Sequence, residues 1–231
     1  MDTFFNLICA VVKRSQAFAS SPLESIVDEE TGLAFITIET EGCCFPEIAE
    51  EGAFDQATDA EATLLLRGFI GEAYRCAFEL NRHFARLLAR KGALVATELE
   101  ARLTTIDWSS YASPSVLLAG LAALPKGTAW ILRLLDEVPI DHRDGLFTAC
   151  WYTVDDEVRE KLLAKFDAWR QVPGWGGGDG EDYWLGQFLR KWRSMGAFPE
   201  ERLAPLIQWY EKTVGPLCSS NDKPTQNTPS T

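Results

Sequence analysis

Between Ala62 and Leu88 the residues Ala62, Leu66, Phe69, Ala73, Cys76, Leu80, Phe84 and Leu87 recur at steps of three and four, the spacing of one apolar helical face. Such a face has to be buried, so this stretch constrains the fold to other elements packed around a helix. Thr58 or Asp59 caps the start and Gly92 the end. The spacing therefore predicts one long helix over about 59–91, roughly 45 Å at 1.5 Å per residue. Arg75, Glu79, Arg82 and Arg86 fall away from the stripe. Leu64 and Phe78 also fall outside it, with Gly68, Gly71, Ala85 and Ala89. The helix is thus expected to be covered on more than one side, its small residues admitting a neighbour at close range. Two glycines inside a helix cost about 1 kcal/mol each relative to alanine, a loss that close packing offsets.

The remaining segments are read around that helix. Phe4, Leu7, Ile8, Val11 and Val12 make an amphipathic first helix over Thr3–Ala19, with Lys13 and Arg14 where the dipole favours cations. Ser21-Pro22-Leu23-Glu24 matches a capping box opening a short helix, with a strand at Ile26 as the competing reading. Leu33–Thr40 is the best strand, rich in β-branched and aromatic residues. A small hairpin or an extended arm is therefore expected near 25–40.

Beyond Gly92, Leu94, Val95, Leu99, Leu103 and Ile106 continue at helical spacing. Ser113-Pro114 opens a helix to Leu124 that is apolar all round and so is read as buried. Further helices follow to Val214, with Pro205 as a kink in the last. The run 113–214 has the succession of an α-solenoid but no constant period. The expected fold class is mainly α: an irregular multi-helix bundle, solenoid-like at most in its C-terminal half, around the long helix. One domain is expected over 1–218, followed by a polar, disordered tail at 219–231.

Charge is the informative part of the composition. Of 34 acidic residues, twelve lie in the segment 21–61, which has no lysine or arginine; the other 22 balance the 22 basic residues. The formal charge of −12 thus comes from one segment. A nucleic-acid surface needs a basic patch, so nucleic acid is not expected as a partner. No apolar run reaches the ~18 residues of a membrane span, and Lys13 and Arg14 follow the N-terminal apolar run, the reverse of a signal peptide. With six cysteines and no CxxC pair, the expectation is a soluble, cytoplasmic protein away from membranes.

Catalytic signatures are weak. There are two histidines and no HExxH, CxxC or GxSxG, so neither metal nor cofactor is expected. His83 reads as a hydrogen-bonded helix histidine, and His142 as part of a helix-start loop. The loop from Pro173 shares only its glycine content with a phosphate loop, and its carboxylates would repel a phosphate.

The favoured expectation is a non-enzymatic interaction module that presents an acidic surface to a basic protein, in the manner of an inhibitor or immunity protein that neutralises a toxin or nuclease. The residues assigned to that surface are Glu39, Glu41, Glu47, Glu50, Glu51 and Asp55, with Trp175, Asp179, Glu181 and Asp182 from the glycine-rich loop. The alternatives are an enzyme using Glu47, Glu50 or Glu51 with His142 in an inter-helix pocket, and a small-molecule or lipid-binding bundle walled by Val116–Leu124.

Overall fold

The computed structural model describes residues 3–15, 23–27, 34–38, 51–71, 75–76, 78–106, 115–138, 143–172, 175 and 181–217. The tail at 219–231 lies outside them. The chain is mainly helical and divides into two compact units, Met1–Arg159 and Glu160–Thr231.

In the N-terminal unit, α1 (Thr3–Val12) is followed by β1 (Leu23–Val27) and β2 (Ala34–Ile38), an antiparallel pair in which Ser25 faces Ile36. The expected hairpin forms, and it takes the residues that the capping box at Ser21 assigned to a short helix. α2 (Asp59–Ile70) starts on a capping box: Thr58 Oγ1 accepts from the Glu61 N–H at 3.3 Å, and Glu61 Oε2 accepts from the Thr58 N–H at 2.9 Å.

The single long helix over 59–91 does not form. α2 stops at Gly71, the two residues Arg75–Cys76 make β3, and α3 runs from Phe78 to Lys91. β3 lies parallel to β2, with Phe35 opposite Arg75 and Ile36 opposite Cys76. The sheet thus gives these backbone groups long-range partners. A helix already weakened by Gly68 and Gly71 yields to them. Gly68 does admit a close neighbour, since a Cβ there would collide with the Phe4 ring of α1.

α3 takes over the role of the spine. Leu80, His83, Phe84, Leu87 and Leu88 form its buried stripe, and Ala85, Arg86 and Ala89 are buried as well. It packs against α2, β2, the helix α6 (Asp144–Tyr152) and a 3-10 segment at Ser115–Ala123. That segment was expected as an α-helix. With three residues per turn, Leu118, Leu121 and Leu124 line up on one ridge and Leu117, Gly120 and Ala123 on another. A Cβ on Gly120 would collide with Leu99 of α4 (Ala96–Leu103). One on Gly92, in the 3-10 turn Gly92–Val95, would sit 3.3 Å from Ala123. The narrow ridge of small residues is what brings these backbones together. α5 (Gly127–Glu137) and α6 (Asp144–Tyr152) complete the unit, and α7 (Asp156–Trp169) carries the boundary with the next.

The C-terminal unit holds the rest of α7 with α8 (Glu181–Met195) and α9 (Glu200–Thr213), the last with Pro205 inside it. Phe166, Trp184, Phe188, Trp192 and Phe198 are among its buried rings. α8 ends in a Schellman motif: Gly196 adopts φ +60°, the Ala197 N–H donates to Trp192 O at 2.9 Å, and the Gly196 N–H donates to Arg193 O at 3.1 Å. The ring of Phe198 then stands edge-on to Trp192 at 5.2 Å.

Candidate functional site

The polar chemistry of the described residues concentrates where Glu51–Ala57 crosses α3 as a strap. Phe54 enters the core and lies 4.7 Å from the ring of Phe84. Next to it, Asp55 turns back on its own backbone, accepting from the Gly52 N–H at 3.0 Å. The same carboxylate accepts from Arg86 Nε at 2.9 Å and Nη2 at 2.6 Å, and pairs with Arg90 at 2.9 Å. Arg86 is only 6% exposed, so its charge is buried against this carboxylate. A Cβ on Gly52 would sit 2.6 Å from Arg86 Cδ, which is why the strap has no side chain there.

Burial alone would raise the pKa of Asp55, but the hydrogen bonds from Arg86 and Gly52 and the charges of Arg86 and Arg90 outweigh it and hold the carboxyl below its usual range. On α3, His83 is 2% exposed and its Nδ1 accepts the Ala53 N–H at 3.2 Å. Burial, and then the Arg86 charge, lower its pKa to about 4 against the opposing pull of Asp55. It is therefore neutral at pH 7. The strap's ends are tied as well: Glu51 accepts from the buried Ser15 hydroxyl at 3.0 Å, and Lys91 Nζ donates to Ala57 O at 2.6 Å. Beside the strap is an open groove of about 660 Å³ lined by Glu51, Asp55, Gln56, Arg86, Arg90 and Tyr152.

Compared with protein-family models, with curated proteins and with solved structures, the chain matches none. The oxygens of Asp55 are occupied by two arginines and a backbone N–H, which disqualifies the group as a general base. His83 does not line the groove. Among the described residues no three His, Cys, Asp or Glu side chains gather as metal ligands, and no helix is long and apolar enough to cross a membrane.

Of the residues assigned to a partner surface, the structure brings Glu51 and Asp55 together at the groove, both tied to the N-terminal unit. Asp55 is thereby a structural carboxylate. Trp175 is a correction: it is 8% exposed, 5.1 Å from the ring of Trp209 and 6.3 Å from that of Phe166, so its ring belongs to the core of the C-terminal unit. Its buried Nε1–H has no hydrogen-bond partner among the described residues. Glu181 and Asp182 open α8, while Glu39, Glu41, Glu47, Glu50, Asp179 and His142 lie outside the described residues. The proposed cavity wall at Val116–Leu124 packs on α3 and α6, with Leu117, Leu118 and Leu121 buried.

Sequence reasoning missed Arg86, Arg90, Ser15 and Tyr152. Arg86 was placed on the outer face of the long helix, because the counter-charge of Asp55 comes from a residue 31 positions away. The available signal was the near absence of polar residues from Phe84 to Ala89, which leaves a helix covered all round and its one arginine in need of a partner.

Proposed function

We propose that this is a non-enzymatic interaction protein that offers the carboxylates of its acidic segment to a basic protein. The observation that carries the reading is how the segment is anchored. Each of its described acidic side chains from Glu51 onward is bound by a group elsewhere in the N-terminal unit: Glu51 by Ser15, Asp55 by Arg86 and Arg90, Asp59 by Lys91 at 3.0 Å, and Glu61 by Arg14 at 2.6 Å. The strands β1 and β2 tie the segment's other flank into the sheet. Glu39, Glu41, Glu47 and Glu50 fall between these two anchored flanks in the sequence. Carboxylates on a stretch anchored at both ends suit a docking surface, because anchoring lowers the ordering cost of binding and like charges accelerate the approach of a cationic partner.

An inhibitor of a basic enzyme is the role that this charge distribution suits best. The test is affinity capture from the source cell, followed by stopped-flow association of the captured protein at low and moderate salt. The variant Glu39→Gln, Glu41→Gln, Glu47→Gln, Glu50→Gln leaves the anchoring residues intact. It should slow association about tenfold at low salt and flatten the salt dependence. An unchanged rate would overturn the reading.

A further inference from the structure

The bond at the centre of the strap has a fixed polarity. Ala53 donates its N–H to His83 Nδ1, and only an imidazole without a proton on Nδ1 can accept it. Protonation there sets one N–H against another. It also places a positive charge beside Arg86, one turn along the same helix, at a site that is 2% exposed.

Among the described residues, the elements packed on α3 bring few groups to oppose this. The 3-10 turn, the 3-10 segment and β2 contain no ionisable side chain, and β3 contributes Arg75 and Cys76. α2 carries Asp59, Glu61 and Arg67, which pair with Lys91, Arg14 and Glu98. α6 carries Asp144, 3.8 Å from Arg82, with Cys150 and Tyr152. Asp55 is the carboxylate that acts on His83, and it is already held by Arg86 and Arg90.

We propose that the strap is an acid-operated latch: protonation of His83 at Nδ1 breaks the bond to Ala53 and releases residues 51–57 from α3 while the rest of the N-terminal unit stays folded. Leu80, Leu87 and Leu88, buried on α3 with the 3-10 segment and α6 among its neighbours, keep the helix in place. Phe54, tilted against Phe84 at 4.7 Å, opposes release and keeps the latch shut near neutrality. Opening uncouples the acidic stretch before Glu51 from its anchor on α3.

Amide exchange of the full chain from pH 7 to pH 3.5, read against intrinsic rates at each pH, tests this. The open fraction at Ala53 and Phe54 should grow by about 80-fold between pH 6.5 and pH 4, the ratio set by an imidazole moving from about 4 when latched to 6.5 when free. The amides of Leu87 and Leu88 should keep their protection. His83→Asn supplies an acceptor near the Nδ1 position that does not titrate, and its strap should stay shut over the same range. Opening of that variant to the wild-type extent would assign the effect to Asp55 and overturn the proposal. Equal loss of protection at Leu87 and Leu88 would also overturn it, since the unit would then be unfolding as a whole. Should His83→Asn fail to fold, imidazole NMR of the wild-type chain decides. The chain has two histidines, so His142→Gln identifies the His83 signal. That signal should titrate together with Ala53 exchange, and titration without a change at Ala53 refutes the latch.

Discussion

Trp175 and Asp55 each hold a loop to the body of its unit, by opposite means. Around Trp175 the contacts are rings: Phe166, Trp169 and Trp209 all lie within 6.4 Å, and the one polar atom of the indole has no partner among the described residues. Around Asp55 the contacts are directed bonds to Arg86, Arg90 and Gly52, beside a histidine that must stay neutral. An apolar cluster tolerates changes of angle and pH because its stabilisation scales with area. A buried ion pair beside a neutral imidazole depends on every partner and on the proton count. The N-terminal unit thus has an acid-sensitive, partner-dependent attachment, and the C-terminal unit one that depends on apolar area.

The largest test removes apolar bulk from each unit. Trp192→Ala and Phe84→Ala should each destabilise their own unit by about 3–5 kcal/mol, as deletion of a buried ring does. Of the eight tryptophans, five lie in the C-terminal unit, so fluorescence follows that unit preferentially and circular dichroism follows both. A loss below about 1 kcal/mol for either would mean that the ring is not core.

Acid should separate the units next. His83 has its pKa lowered from 6.5 to about 4 in the folded state, so the unfolded chain binds the extra proton between those values. The stability contributed by the neutral imidazole is whole above pH 6.5 and is lost as pH falls to 4, about 3 kcal/mol in all. Asp55, held low, adds to the loss at still lower pH as it protonates through its folded value. Urea melts at pH 7 and pH 4.5, read by circular dichroism and by tryptophan emission, should show the early transition moving while the emission transition stays. Equal movement of both would erase the contrast.

Asp55→Ala should cost about 2–3 kcal/mol, somewhat below a fully buried pair because Asp55 keeps 15% side-chain exposure. Pairing it with Arg86→Met should recover part of that loss, since the buried guanidinium that lost Asp55 is then gone and Arg90 is half exposed to solvent. No recovery in the double variant would mean that the buried charge is not what the pair relieves. Thr58→Ala, which removes half of the capping box of α2, should cost about 1 kcal/mol in the same melts. Smallest of all, Arg202→Gln should leave the denaturation midpoint of the C-terminal unit unchanged. Its bonds to Glu160 at 2.8 Å lie on an exposed surface and are screened by salt. A measurable drop there would make this unit electrostatically held as well.

Much of this architecture is local and was open to inspection in the chain. The capping box at Thr58, the stop at Gly92, the β-branched run at Leu33–Thr40 and the apolar stripe through Leu80, Phe84 and Leu87 are set by neighbours within a turn or a strand. The concentration of charge in 21–61 is a property of sequence alone. What the tertiary structure decided is where local preference was weak or the partner far off. The glycines at 68 and 71 left the long helix marginal, and pairing of Arg75–Cys76 with Phe35–Ile36 settled it as two helices. Arg86 and His83 read as surface or neutral helix residues until Asp55 and Ala53, about 30 positions away, arrive on α3 and give them buried partners. Trp175, in a stretch of glycines, has nothing beside it in sequence to mark it as core. A side chain's burial is fixed by what packs on it from elsewhere, and no local window contains that information.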